Sequence, residues 1–129
     1  MTERILRALE CPWVDILAHP TGRLLLRREG YRYDMERVFA AAAAAGVAIE
    51  INSQVDRLDL RDTQARLARD RGVRLIVDSD AHSPAALRNQ RWGVAVARRA
   101  WLTAADVLNT RPLEELRPLL RRHRPTPLH

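Results

Sequence analysis

Two helix-forming stretches, each closed by a glycine, separate three short apolar runs, and this alternation limits the folds open to the chain. The runs are "VDILAH" at 14–19, "VAIEIN" at 47–52 and "VRLIVDSD" at 73–80. Asp34 has the character of an N-cap for a helix through Ala45, and Gly46 supplies a left-handed stop. A second helix is expected from Asp62 to Arg71, closed by Gly72. Strand, helix, strand, helix, strand is the signature of right-handed βαβ units in a parallel sheet. Val, Ile and Leu dominate the strands, as they must when helices cover both faces. The fold class is therefore α/β, with about three parallel strands, covering helices and a helical C-terminal end.

The flanking segments fit this frame. Ile5, Leu6 and Leu9 mark a short helix before Pro12. The six alanines at 40–45 make a close-packed helix, alanine being the best helix former. Thr103 and Asp106 have the spacing of a capping box. Pro112 opens a last helix with Leu113, Leu116, Leu119 and Leu120 as its apolar residues, and Pro118 should kink or shorten it.

In parallel α/β folds, chemistry gathers at the carboxyl ends of the strands. The first run ends in His19, the second in Glu50 and Asn52, the third in Asp78, Asp80 and His82. Residues distant in sequence thus converge on one edge of the sheet. Imidazole with carboxylate and no thiolate suits Zn²⁺, Mn²⁺ or Fe²⁺. Asp80 and His82, two apart, would share a face on extended backbone. His19, Asp80 and His82 are the expected ligands. Arg23, after His19 and before Arg27 and Arg28, offers a planar fork to phosphate oxygens, or else pairs with Asp34, Glu36 or another carboxylate. Asn52 is a second expected phosphate contact. His123 and His129 are expected to face solvent.

Composition narrows the class. No apolar run approaches the roughly 20 residues of a membrane span. The start of the chain lacks the apolar core of a secretory signal, and the one cysteine, Cys11, cannot form an internal disulfide, so a cytoplasmic protein is expected. The 22 basic residues are all arginine and exceed the 16 acidic ones, leaving +6. That excess suits a polyanionic partner, although arginine used in place of lysine also follows from a GC-rich coding sequence.

"LAHPTGRLLLRREGY", "AIEINSQVDRLDL", "VDSDAHSPAAL" and "GVAVARRAWLTAADVLNTRPLEEL", in this order, resemble the end of a polymerase-and-histidinol-phosphatase (PHP) domain of the version attached to bacterial family-X DNA polymerases. The likeness spans residues 3–122, so residues 1–124 are read as the C-terminal portion of such a domain and 125–129 as a frayed tail. It implies part of a distorted (β/α)7 barrel with divalent metals, Mn²⁺ or Zn²⁺, at the strand ends. It also implies metal-dependent phosphoesterase activity, as 3′–5′ exonuclease and 3′-end processing in DNA repair. The histidine of the family's "GHP" falls on His19, and "DAH" falls on Asp80 and His82; Ala18 and Ser79 are mild departures. The family's early H-x-H and acidic motifs have no counterpart. The expectation is a weak or inactive catalyst by itself that associates with a missing barrel half, a polymerase core or its own copy. A non-catalytic DNA-binding or structural module and a small-molecule phosphatase of the histidinol-phosphatase type are the alternatives.

Overall fold

A computed structural model describes residues 1–120. The elements are α1 (Thr2–Glu10), β1 (Ile16–Leu17), α2 (Met35–Ala45), β2 (Ala48–Asn52), α3 (Asp62–Asp70), β3 (Leu75–Asp78), α4 (Gln90–Arg99) and α5 (Leu113–Leu116). A six-residue 3₁₀ segment at Pro84–Asn89 leads into α4, and single 3₁₀ turns lie at Leu108–Thr110 and, after α5, at Arg117–Leu119. The strands form one parallel sheet in the order β1-β2-β3, with Ile16 opposite Ala48, and Asn52 opposite Asp78. The sheet is open, and the α/β class with three parallel strands and a helical end stands as expected. The expected tail at 125–129, with His123 and His129, lies outside the described residues.

Local chemistry sets the element ends. Asp34 accepts a hydrogen bond from the Arg37 amide at 3.0 Å, and Gly46 takes the left-handed conformation at φ 69°. A side chain there would suffer the Cβ–carbonyl clash that disfavours left-handed backbone. α2 then buries Val38, Phe39 and Ala42 against the sheet. All five residues of β2 are buried, as a central parallel strand requires. Ile49, Ile51, Leu60 and Leu75 complete the middle of the core, each contributing about 1.5–3 kcal/mol by leaving water. α4 reaches the sheet at Gly93, where an added Cβ would lie 2.0 Å from Ser53 Oγ and 2.8 Å from Val77 Cγ1.

Two expectations change in detail, and the last helix is shortened as expected. β1 keeps only two residues of the expected 14–19, because the chain turns at His19, whose φ is 28°. Thr103 and Asp106 do bond, at 2.7 and 2.9 Å, yet they close a turn and start no helix. Leu75 bridges Val107 and takes the Asp106 carbonyl, which draws this segment alongside β3. α5 is a single turn and continues as 3₁₀ at Pro118, as a proline with no N–H demands.

The two sheet edges differ. On β3 the Asn109 carboxamide donates to the Val77 carbonyl at 2.6 Å and accepts from the Val77 amide at 3.1 Å. One side chain thus does the work of a neighbouring strand. β1, at the other edge, leaves Ile16 exposed. No helix among the described residues is long and apolar enough to cross a membrane.

Candidate functional site

The carboxyl ends of β1, β2 and β3 carry one connected polar chain. The His19 backbone N–H donates to Glu50 Oε2. Asn52 Nδ2 donates to the same oxygen at 3.3 Å and to Asp80 Oδ2 at 3.0 Å, so one amide bridges two carboxylates. Asn52 Oδ1 accepts from the Gln54 amide at 3.0 Å, and Asp78 Oδ1 accepts from the Asp80 amide at 2.9 Å. Gln54 Nε2 donates to the Asp80 carbonyl and lies 3.5 Å from His82 Nδ1. The parallel register of β2 and β3 produces this convergence, with Asn52 level with Asp78.

His82 is not set on an extended strand beside Asp80. β3 ends at Asp78, and Asp80 has φ 46°, so the backbone folds back. His82 Nδ1 comes to 2.7 Å from the Asp80 carbonyl oxygen. That contact puts the ring proton on Nδ1 and leaves Nε2 as the basic nitrogen of an exposed ring. Among the described residues no three His, Cys, Asp or Glu side chains are grouped to hold a metal ion. His19, Asp80 and His82 therefore share a loop edge without forming a complete ligand set for Mn²⁺ or Zn²⁺.

Neither expected phosphate contact is freely available. Arg23 is half-buried, its Nε donates to the Arg57 carbonyl at 2.7 Å, and its Nη2 donates to the Leu58 carbonyl. It ties two loops together and pairs with neither Asp34 nor Glu36. Asn52 is fully buried with its amide engaged on both sides.

Glu50 is the titratable centre of the chain. Burial pushes its carboxyl up to about 7, the bond from the His19 amide opposes this, and the Asp78 charge adds to it. An acid poised near neutral pH can both give and take a proton. Asp59 was missed in the sequence. It is fully buried, and Oδ2 accepts from the Thr21 and Gly22 amides at 3.0 and 2.9 Å. Burial raises its pKa, with the Thr21 bonds opposing. Its backbone pairs with Asn52 in both directions, so it braces the strand end against the loop after His19. The available signal was an aspartate set between Leu58 and Leu60, where apolar neighbours foretell burial. Gln54 carried no signal, its role depending on the turn at Asp80.

No family model matches the chain. In direct comparison, 94% of the chain is 39% identical, over 121 residues, to a DNA polymerase/3′-5′ exonuclease PolX of Bacillus subtilis. The chain is a homologue of a PolX-type PHP domain. It spans 21% of that relative's length. A probable phosphatase of Thermoanaerobacter sp. is 31% identical over 115 residues, 84% of this chain and 44% of that protein. One of Edwardsiella ictaluri is 32% identical over 130 residues, 96% of this chain and 51% of that protein. The PHP-type chain thus covers about half of these phosphatases or less, and about a fifth of the polymerase.

Proposed function

We propose that this chain supplies the strand-end part of a metal-dependent phosphoesterase site acting on DNA 3′ ends, as a 3′–5′ exonuclease or end-processing module in DNA repair. The observation that carries the reading is the chain from Glu50 through Asn52 to Asp80, with His19 held on Glu50, at the carboxyl edge of a parallel sheet. The likeness to PolX supports the substrate class. In this reading the three strands are part of a (β/α)7 barrel whose remaining strands join beyond β1. Divalent metal, Mn²⁺ or Zn²⁺, needs donors from that remainder, because those described here do not make a full set. His19, Asp80 and His82 are this chain's share. Glu50, near neutral in pKa, holds a proton beside them.

The partners proposed are the remainder of the barrel, a polymerase core or a second copy of the chain. The test is hydrolysis of a 3′-labelled oligonucleotide with Mn²⁺ or Zn²⁺, by the chain alone and mixed with the remaining portion of a PolX-type domain. The expected outcome is turnover at least tenfold higher in the mixture. Equal turnover by the chain alone and by a full-length relative overturns the reading. Several relatives are named probable phosphatases, and a small phosphomonoester in place of DNA is the second reading. A simple phosphomonoester cleaved faster than the oligonucleotide would decide for it. Metal-independent, salt-sensitive DNA binding with no hydrolysis in any mixture would leave a non-catalytic module.

A further inference from the structure

Beside the strand ends, the segment from Thr21 to Met35 folds into a cup of about 760 Å³, walled also by Arg61 and Gln64 of the α3 entry. Five arginines line it, namely Arg23, Arg27, Arg28, Arg32 and Arg61, against a single carboxylate, Glu29. Two of the five build the wall. Arg23 holds the Arg57 and Leu58 carbonyls, and Arg28 donates twice to the Gly22 carbonyl, at 3.0 and 2.6 Å. The other three, Arg27, Arg32 and Arg61, are exposed, and none has a salt bridge or a side-chain hydrogen bond among the described residues. Their charge is felt nearby: after desolvation, Arg61 is the next cause lowering the Arg23 pKa.

The cup also has an aromatic wall. Tyr31 is 48% exposed, and Arg28 lies over its ring at 5.8 Å from the centroid. The ring is fixed from behind, its Cε2 lying 2.6 Å from where a Gly22 Cβ would stand. The base of the loop is pinned as well, because the Thr21 and Gly22 amides bond Asp59 and the Tyr31 amide bonds the Thr21 carbonyl at 2.7 Å. A preformed surface of this kind binds without first having to order itself.

Unpaired guanidinium groups around an exposed, rigidly held aromatic ring match one ligand chemistry: repeating phosphates with flat rings between them. We infer that the cup formed by residues 21–35 and Arg61 binds single-stranded nucleic acid, with a base stacked on Tyr31 and phosphates on Arg27, Arg32 and Arg61. Binding there needs no metal and no bond cleavage; the inference rests on the nucleic-acid substrate of the proposed function and adds where the strand is held. Through Asp59, which bonds both the cup's base and the Asn52 backbone, the bound strand lies next to the strand-end residues.

The test is fluorescence anisotropy of a labelled oligo-dT strand of about ten nucleotides with the full chain in EDTA. Binding is expected to weaken with salt at a log–log slope of about 2, roughly 0.7 for each of three phosphates. Replacing Arg27, Arg32 or Arg61 by Gln should each lower that slope by roughly 0.7. Tyr31→Ala should weaken binding about tenfold, as loss of one stacked base does, while Tyr31→Phe keeps it. Arg37→Gln removes an arginine that is paired with Glu3 of α1 and does not line the cup, and it should leave affinity unchanged. Thermal melts of each variant separate lost binding from lost folding. Equal weakening by Arg37→Gln, indifference to Tyr31→Ala in a folded variant, equal affinity for a polyglutamate peptide, or no binding at millimolar protein would each overturn the inference. Failed hydrolysis with Mn²⁺ would count against the phosphoesterase reading and leave this binding untouched.

Discussion

Asn52 and Glu50 show how far single residues could be read in advance. Both stood out as polar endings of an apolar strand, and both do reach the common edge. Their tasks could not be read, because hydrogen bonding depends on partners brought from β3 and the His19 turn. Asn52 proves to bridge two carboxylates, a task its place at a strand end did not announce. Asn52→Ala should cost about 1–3 kcal/mol, since it strips a donor from Glu50 and Asp80 in buried surroundings; urea denaturation at neutral pH measures this. Glu50 gives a pH signature. Its folded pKa, about 7, lies above the ordinary 4.5, so folding favours the protonated acid. Its contribution is complete below about pH 4.5 and is lost as pH rises through about 7, at most about 3 kcal/mol. Glu50→Gln stays neutral throughout and should flatten that decline, seen as a Tm that no longer falls between those pH values. Asp80 explains the opposite failure. A D-x-H pair on extended backbone would share a face, but a positive φ at Asp80 folds His82 back on the preceding carbonyl, and nothing in the spacing announces that turn.

Among the elements, those with strong end signals were legible. α2 is bounded by an aspartate cap and a left-handed glycine, both local properties of the chain. β2 and β3 follow from β-branched runs too short for buried helices. What stayed hidden was decided by distant contacts: the brevity of β1, set by the turn at His19, and the segment after Thr103, drawn into pairing with β3. The close seat of α4 on the sheet belongs to the same group, because Gly93 gives no sign in sequence of the Ser53 hydroxyl beneath it. Gly93→Ala would improve helix propensity by about 1 kcal/mol, yet its methyl must displace Ser53 or push α4 outward. The net expectation is a loss of about 1–3 kcal/mol, with overpacking prevailing. A guanidinium titration followed by tryptophan fluorescence, Trp92 lying in α4, reads it directly.

On the scale of the whole molecule, the α/β plan with three parallel strands was evident from the alternation of elements, while the treatment of the sheet's margins was not. Asn109 imitates a neighbouring strand at Val77, and the Asp106 carbonyl occupies the Leu75 amide, so β3 offers few free groups for pairing. Asn109→Ala should expose that margin, with a loss of about 1–3 kcal/mol from the two unmet backbone groups and a rise in light scattering on mild heating. The native arrangement carries a rule for assembly. A slab with one side occupied by its own chain can be lengthened only from the other. Among the described residues, a strand that lengthens this sheet is therefore expected to join at β1 and not at β3.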